Sequence, residues 1–117
     1  MKKQYRVKKN KEIESILKEK KSVYNPYFSI YIKKNLETSH LRYAMSVGKK
    51  LGNAVVRNRI KRQVTAIIDN LDLKLNTNTD VFIIVRPKVL ELNYNEMSKQ
   101  LEYLFKKHKL IKGEKND

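Results

Sequence analysis

The sequence predicts an α+β fold, one small sheet with helices packed against it, and three observations predict it. Residues 27–33 and 41–48 alternate apolar and polar side chains with the period of a strand. Residues 81–86 are almost continuously apolar and end at Pro87, as a central strand covered on both faces would be. Stretches near 10–21, 53–71 and 93–108 instead repeat their apolar residues at helical spacing. The order helix, strand, strand, helix, strand, helix belongs to the α+β class, and a helix between strands 41–48 and 80–86 suggests a βαβ crossover.

Residues 1–9 carry Lys2, Lys3, Arg6, Lys8 and Lys9 and are predicted to form an extended or poorly ordered basic arm. Asn10 can cap a helix running to about Lys21, with Ile13, Ile16 and Leu17 as its apolar stripe. Pro26 opens the first long strand, which sets Phe28, Ile30 and Ile32 against Tyr27, Ser29, Tyr31 and Lys33. Asn35 to His40 reads as a polar hairpin loop. The second strand sets Leu41, Tyr43, Met45 and Val47 against Arg42, Ala44, Ser46 and Gly48.

A hairpin would bring Ala44 and Ser46 beside Tyr27 and Tyr31, making a shallow groove with an aromatic floor and with Arg42 and Lys33 near its rim. Unpaired bases stack on such platforms for about 1–3 kcal/mol each. The same tyrosines read equally well as half-buried sheet residues under a helix.

Residues 49–62 hold six basic side chains and no acid. Asn53 can cap a helix whose apolar positions Val56, Ile60, Val64, Ile67, Ile68 and Leu71 fall within an arc of roughly 120°. Arg57 and Lys61 lie at one edge of that arc, Arg59 near the other, and Asn58 and Arg62 opposite it. Surface helices ordinarily mix charge signs, because like charges at i, i+4 repel, and Arg57–Lys61 is such a pair. A polyanion would supply the missing countercharge; a plain solvated face is the alternative. Farther on, Leu73 to Asp80 is a loop by composition. Asn93 and Glu96 have capping-box spacing before a helix with Met97, Leu101, Leu104, Phe105 and His108 on one side, followed by a basic tail.

Composition narrows the function. At 117 residues one domain, 1–117, is expected, with 112–117 a poorly ordered tail. A net charge of +15 argues for nucleic acid or an anionic membrane surface as partner. There is no apolar run long enough to span a bilayer and no apolar core of a signal peptide after Met1-Lys2-Lys3, so a cytoplasmic protein is expected. Zero cysteines exclude disulfides, thiolate catalysis and most zinc sites. No catalytic constellation can be built: His40 and His108 have no local carboxylate partner, and no Asp-x-Asp or His-x-x-x-His pattern offers a metal site. Gly48 and Gly52 lack the spacing of a phosphate-binding loop. The residues describe a binder, with no catalytic group and no recognisable metal-binding motif, and no small-molecule substrate is expected.

The run Ser46-Val47-Gly48-Lys49-Lys50-Leu51-Gly52-Asn53-Ala54, followed by Val55-Val56-Arg57-Asn58-Arg59-Ile60-Lys61-Arg62, resembles the signature of the protein subunit of bacterial ribonuclease P. Residues 5–36 and 80–110 resemble that family more loosely. The resemblance implies a ribonucleoprotein endonuclease that removes the 5′ leader of precursor tRNA, with the active site and its Mg²⁺ ions on the RNA subunit. Its partners would be that RNA and precursor tRNA. It carries RNA binding onto Lys49, Lys50, Asn53, Arg57, Asn58, Arg59, Lys61 and Arg62. Tyr31 matches an aromatic of the family's leader cleft, and the groove formed with Tyr27, Arg42, Ala44 and Ser46 falls where that cleft should be. Ile13 and Leu17 stand where members often place phenylalanines, so the apolar wall is kept without aromatic stacking. Arg86 carries over, but a lysine directly after it does not, because Pro87 stands there. The family fold adds a short strand near Val23, making four strands in a mixed sheet of ribosomal-protein type, and a left-handed crossover; pattern alone favours the right hand. A ribosomal-type RNA-binding protein would share the charge without needing a groove, and a free-standing nuclease would need side chains that are not found.

Overall fold

A computed structural model of the protein describes residues 7, 10–71, 73 and 77–111. The chain runs α1 (Asn10–Lys18), β1 (Ser22–Tyr24), β2 (Phe28–Lys34), β3 (Arg42–Val47), a 3₁₀ turn (Lys49–Leu51), α2 (Ala54–Asn70), β4 (Thr79–Val85), a second 3₁₀ turn (Pro87–Glu91) and α3 (Tyr94–Lys107). The four strands make one mixed sheet in the order β1-β2-β4-β3. β2 is antiparallel to β1 and β4, and β3 is parallel to β4.

That order corrects one expectation. β2 and β3 do not form a hairpin; β4 lies between them. The physical reason is burial. Val81, Ile83 and Val85 are buried in the main core and Phe82 in a second cluster on the opposite face, so β4 must be covered on both sides and flanked on both edges. Residues 35–40 therefore cross one end of β4. Asn35 anchors the crossing: its amide N–H donates to the Asn78 carbonyl, and its side chain donates to Asp80 and accepts from the Glu37 N–H.

Two layers enclose the main core. Ile60, Val64, Ile67 and Ile68 of α2 and Met97, Leu101, Leu104 and Phe105 of α3 pack against Phe28, Ile30, Tyr43, Val47, Val81 and Ile83 of the sheet. Each such aliphatic side chain contributes about 1.5–3 kcal/mol of burial. Two predicted caps form, whereas Asn10, expected as a cap, is itself the first residue of α1. The Asn53 side chain accepts from the Val56 N–H at 3.1 Å, and Asn93 and Glu96 exchange both capping-box hydrogen bonds, at 2.8 and 2.9 Å. Gly52 has φ of +132°, where a Cβ would be strained and would meet the Val56 side chain at 3.2 Å, so the sharp entry into α2 needs glycine.

Several boundaries move. α1 ends at Lys18, short of Lys21, because the chain turns through Lys20 at φ +53° to enter β1. Thr79 and Asp80 belong to β4, while Arg86 lies just past it. His108 is the C-cap of α3 and not part of its stripe; it is half-buried, with Nε2 at 2.8 Å from the Ile30 carbonyl. Leu110 and Ile111, expected in the basic tail, are buried in the main core. The basic arm falls outside the described residues except for Val7, which is buried and donates its N–H to the Tyr43 carbonyl. The 112–117 tail lies outside them altogether.

Candidate nucleic-acid interface

The sheet face opposite α2 and α3 can be read in rows from the strand registers. Ser22, Tyr31, Phe82 and Ala44 form one row, and Tyr24, Ser29, Ile84 and Ser46 the next. On the other side of the Tyr31 row, Lys33, Asp80 and Arg42 form a third. α1 lies over this face. Ile16, fully buried, clusters with Val7 and Phe82, and Ile13, Leu17, Tyr31, Ala44 and Ile84 pack around them.

The Lys33–Asp80–Arg42 row is closed. The Arg42 guanidinium grips Asp80 through two hydrogen bonds, Nε to Oδ1 at 3.0 Å and Nη2 to Oδ2 at 2.9 Å, and reaches Glu12 of α1 as well. Lys33 bonds Ser15 of the same helix. The hydrogen bond to Asp80 is the largest influence on Arg42 and raises its pKa above the ordinary value; burial opposes it, and Glu12 adds to it. These contacts clamp the N-terminal part of α1 to the sheet.

The Ser29–Ile84–Ser46 row, by contrast, is bordered by cations. β3 and β4 are parallel, so both end at the same edge of the sheet; Lys49 and Lys50 follow one, and Arg86 and Lys88 follow the other. Arg86 is exposed and donates to the Ser29 hydroxyl from Nε at 3.1 Å and from Nη2 at 2.6 Å. Its guanidinium also stands 5.9 Å from the centre of the Tyr24 ring. Ser46 and Ile84 are half-buried and Ser29 is buried under the Arg86 guanidinium; this row, with small hydroxyl side chains at both flanks of Ile84, is termed the lane.

At the β3 end of this lane stands the entry of α2. Lys49, Lys50, Asn53, Asn58, Arg59, Lys61 and Arg62 are all exposed, and residues 49–68 contain no carboxylate. Arg57 differs, being half-buried with Nε shielded and without a hydrogen-bond partner among the described residues. Its place at the edge of the apolar arc accounts for that: the stem lies along the core and only the terminal nitrogens can reach out.

The structure thus brings together Ile13, Leu17, Tyr31, Ala44 and Ser46 on the α1 face, with Arg86 at its edge. Two expected groove residues do not join them as ligand-facing groups. Tyr27 precedes β2 and packs against the main core, away from the cluster that holds Tyr31. Arg42 is spent on two carboxylates and is a clamp for α1. Sequence reasoning missed Phe82, Ile84 and Tyr24. A near-continuous apolar run hides which of its members lie on the face that α1 covers, and the pairing of β4 with both long strands decides it.

Among the described residues no group of three His, Asp or Glu side chains could hold a metal ion. Glu12 and Asp80, which meet at Arg42, are both engaged by its guanidinium, so this pair does not fit a Mg²⁺ ion. No helix among the described residues is long and apolar enough to cross a membrane.

The fold is thus a small α+β domain with helices on both faces of one mixed sheet, rather than two layers, and its basic helix entry has the charge of an RNA-binding surface. Comparison with known proteins makes the class specific. The family model for ribonuclease P matches residues 1–109. The ribonuclease P protein component of Listeria innocua is 37% identical over 117 residues, covering 100% of this chain and 98% of its relative. That of Mycoplasma capricolum is 46% identical over 104 residues, covering 88% and 94%. Among solved structures, the ribonuclease P protein of Staphylococcus aureus superposes with a TM-score of 0.81 at 34% identity, over 92% of this chain and 97% of that one. The Thermotoga maritima protein gives 0.77 at 28% identity, over 87% and 96%. The chain belongs to the bacterial ribonuclease P protein family. It is a subunit of an endoribonuclease and acts in the processing of the 5′ leader of precursor tRNA.

Proposed function

We propose that the two surfaces divide the work of a single RNA-binding domain. The exposed face of α2, from Lys49 and Lys50 through Asn53, Arg57, Asn58, Arg59, Lys61 and Arg62, binds the RNA subunit. The lane beside α1 holds the unpaired 5′ leader and so favours precursor over mature tRNA. The observation that carries this is the Ser29–Ile84–Ser46 row: the side chains at both flanks of Ile84 are small, Ile84 packs with the α1 cluster, and Lys49, Lys50 and Arg86 follow the ends of its strands. Cations at a lane edge track phosphates while the floor accepts bases without reading their sequence.

Catalysis in this reading rests with the RNA subunit and its Mg²⁺ ions. This chain contributes position: α2 docks the subunit, and the lane aligns the leader so that the scissile bond is held near the RNA active site. No small molecule or membrane is involved, and the protein works in the cytoplasm with its RNA. The left hand of the β3–α2–β4 crossover and the likeness to ribosomal-protein folds belong to the same reading, on family resemblance.

Ser46→Phe tests it by filling the row with a bulky ring while leaving every basic residue of α2 in place. The reconstituted holoenzyme should bind precursor tRNA about tenfold or more weakly, a loss of at least one stacked base, while mature tRNA binds as before. Equal loss for both substrates, or none for either, would overturn the leader lane.

A further inference from the structure

The lane does not stop at Ser29. Its row continues onto β1, where Tyr24 pairs with Ser29 and is 70% exposed. Beyond Tyr24 the sheet edge opens into a cavity of about 510 Å³ lined by Tyr24, Pro26, Arg86, Tyr103 and Lys107, among others. Tyr103, on α3, is 52% exposed, and the Lys107 ammonium stands 5.0 Å from its ring centre. The lining contains two cations and no carboxylate.

An exposed tyrosine alone means little. Here two of them, one on the edge strand β1 and one on α3, meet at one cavity, and each has its own cation. Large apolar surface left in water at a sheet edge is unfavourable unless something covers it. An aromatic face beside a guanidinium or ammonium is the arrangement that unpaired nucleotides use: the base stacks on the ring and the cation takes the phosphate. Arg86 ties the cavity to the lane, since the same guanidinium bonds Ser29 and overhangs Tyr24. From β3 to β1 the row crosses three strand spacings, roughly 14 Å, and the cavity lies at its end.

We infer that this edge is a second single-stranded RNA subsite, in which Tyr24 and Tyr103 stack on unpaired bases of the 5′-distal leader while Arg86 and Lys107 hold its phosphates. The inference rests on the leader-lane reading above and extends it around the sheet edge, so leader length becomes the variable that this chain senses.

The test uses the full chain reconstituted with its RNA subunit, and precursor tRNAs whose leaders are shortened stepwise from the 5′ end. Tyr24→Ala with Tyr103→Ala should weaken binding of the longest leader by about fivefold or more, a low value for loss of stacking. It should leave unchanged the shortest leader that wild type still distinguishes from mature tRNA. Tyr24→Phe with Tyr103→Phe should bind like wild type, because the ring faces do the stacking. Both pairs keep the fold, as both rings are largely in solvent; thermal melting verifies it. If Ser46→Phe discriminates between precursor and mature tRNA but the alanine pair matches wild type at every leader length, the edge subsite is wrong and the lane stands. If the alanine pair weakens all leaders and mature tRNA alike, the edge touches another part of the complex, and the subsite is again overturned. If Ser46→Phe itself changes nothing, the lane reading fails first.

Discussion

Arg42 and Arg86 belong to opposite ends of the same sheet face, and their surroundings could hardly differ more. Arg42 lies between Asp80, whose side chain is 4% exposed, and Glu12 of α1, and its own side chain is 15% exposed. Arg86 has no carboxylate within ion-pair distance among the described residues; it holds a serine hydroxyl and overhangs an exposed ring. One charge is neutralised and fastens a helix. The other remains uncompensated at the mouth of a lane. A count of basic residues treats the two alike, but only an uncompensated cation attracts a polyanion. Fastening α1 at one end leaves Ile84 and Ser46 half-exposed at the other.

The sharpest way to break this contrast is to remove each arginine. Arg42→Met leaves two carboxylates beside a low-polarity core without their partner. It should destabilise the fold by about 3–5 kcal/mol, read from urea unfolding at neutral pH. Arg86→Ala should cost about 1 kcal/mol, the value of an ordinary hydrogen bond, yet weaken binding of precursor tRNA relative to mature tRNA. Equal stability losses, or an unchanged precursor preference in Arg86→Ala, would erase the distinction.

The salt dependence of binding to the RNA subunit sharpens it further. Arg59, Lys61 and Arg62 are exposed and, like Arg86, sit where no neighbouring acid in the sequence competes for them. Replacing all three with Ala should lower the log–log salt slope by roughly 2–3 units, about 0.7–0.9 per phosphate contact, with unfolding unchanged. Arg57 is best left out of that set, since its stem is part of the packing. A slope equal to wild type in a folded triple variant would remove α2 from the interface.

The smallest effect concerns His108, a third basic side chain, which joins α3 to β2 on the other side of the sheet. Burial lowers its pKa below the ordinary 6.5; the Ile30 carbonyl opposes this and Lys21 reinforces it. The fold therefore favours the neutral ring. Its contribution is fully present above pH 6.5 and is lost as pH falls through the depressed value. His108→Gln should flatten that acid-side decline in stability, whereas Arg42→Met, which stays charged-partner-deficient across pH 6–8, should shift the whole curve in that range. An acid limb identical in wild type and His108→Gln would show that the ring does not titrate between the two states.

Much of this was legible beforehand because it is local. The α2 stripe, the Asn53 cap, the Asn93–Glu96 box and the alternation of β2 and β3 each depend on residues within a turn or two of one another. The signature run at 46–62 also carried the family, and with it the basic face. The groove was only half legible. Its residues Tyr31, Ala44 and Ser46 were assigned to the right face by alternation. Their neighbours were wrong, because nothing in residues 35–40 says whether the chain turns back at once or steps over a strand still to come.

The sequence by itself determined the class of fold, the positions of its helices and strands, and the sign of the charge around α2, all of which follow from spacing and side-chain chemistry along the chain. Tertiary structure alone decided what each strand lies beside. Burial on both faces drove β4 into the centre of the sheet, which placed Phe82 and Ile84 in the floor, carried the row out to Tyr24, and set Asp80 against Arg42. Residues 38 positions apart in the chain became a clamp in this way, while Arg86, at the end of the same strand, was left free of any described acid.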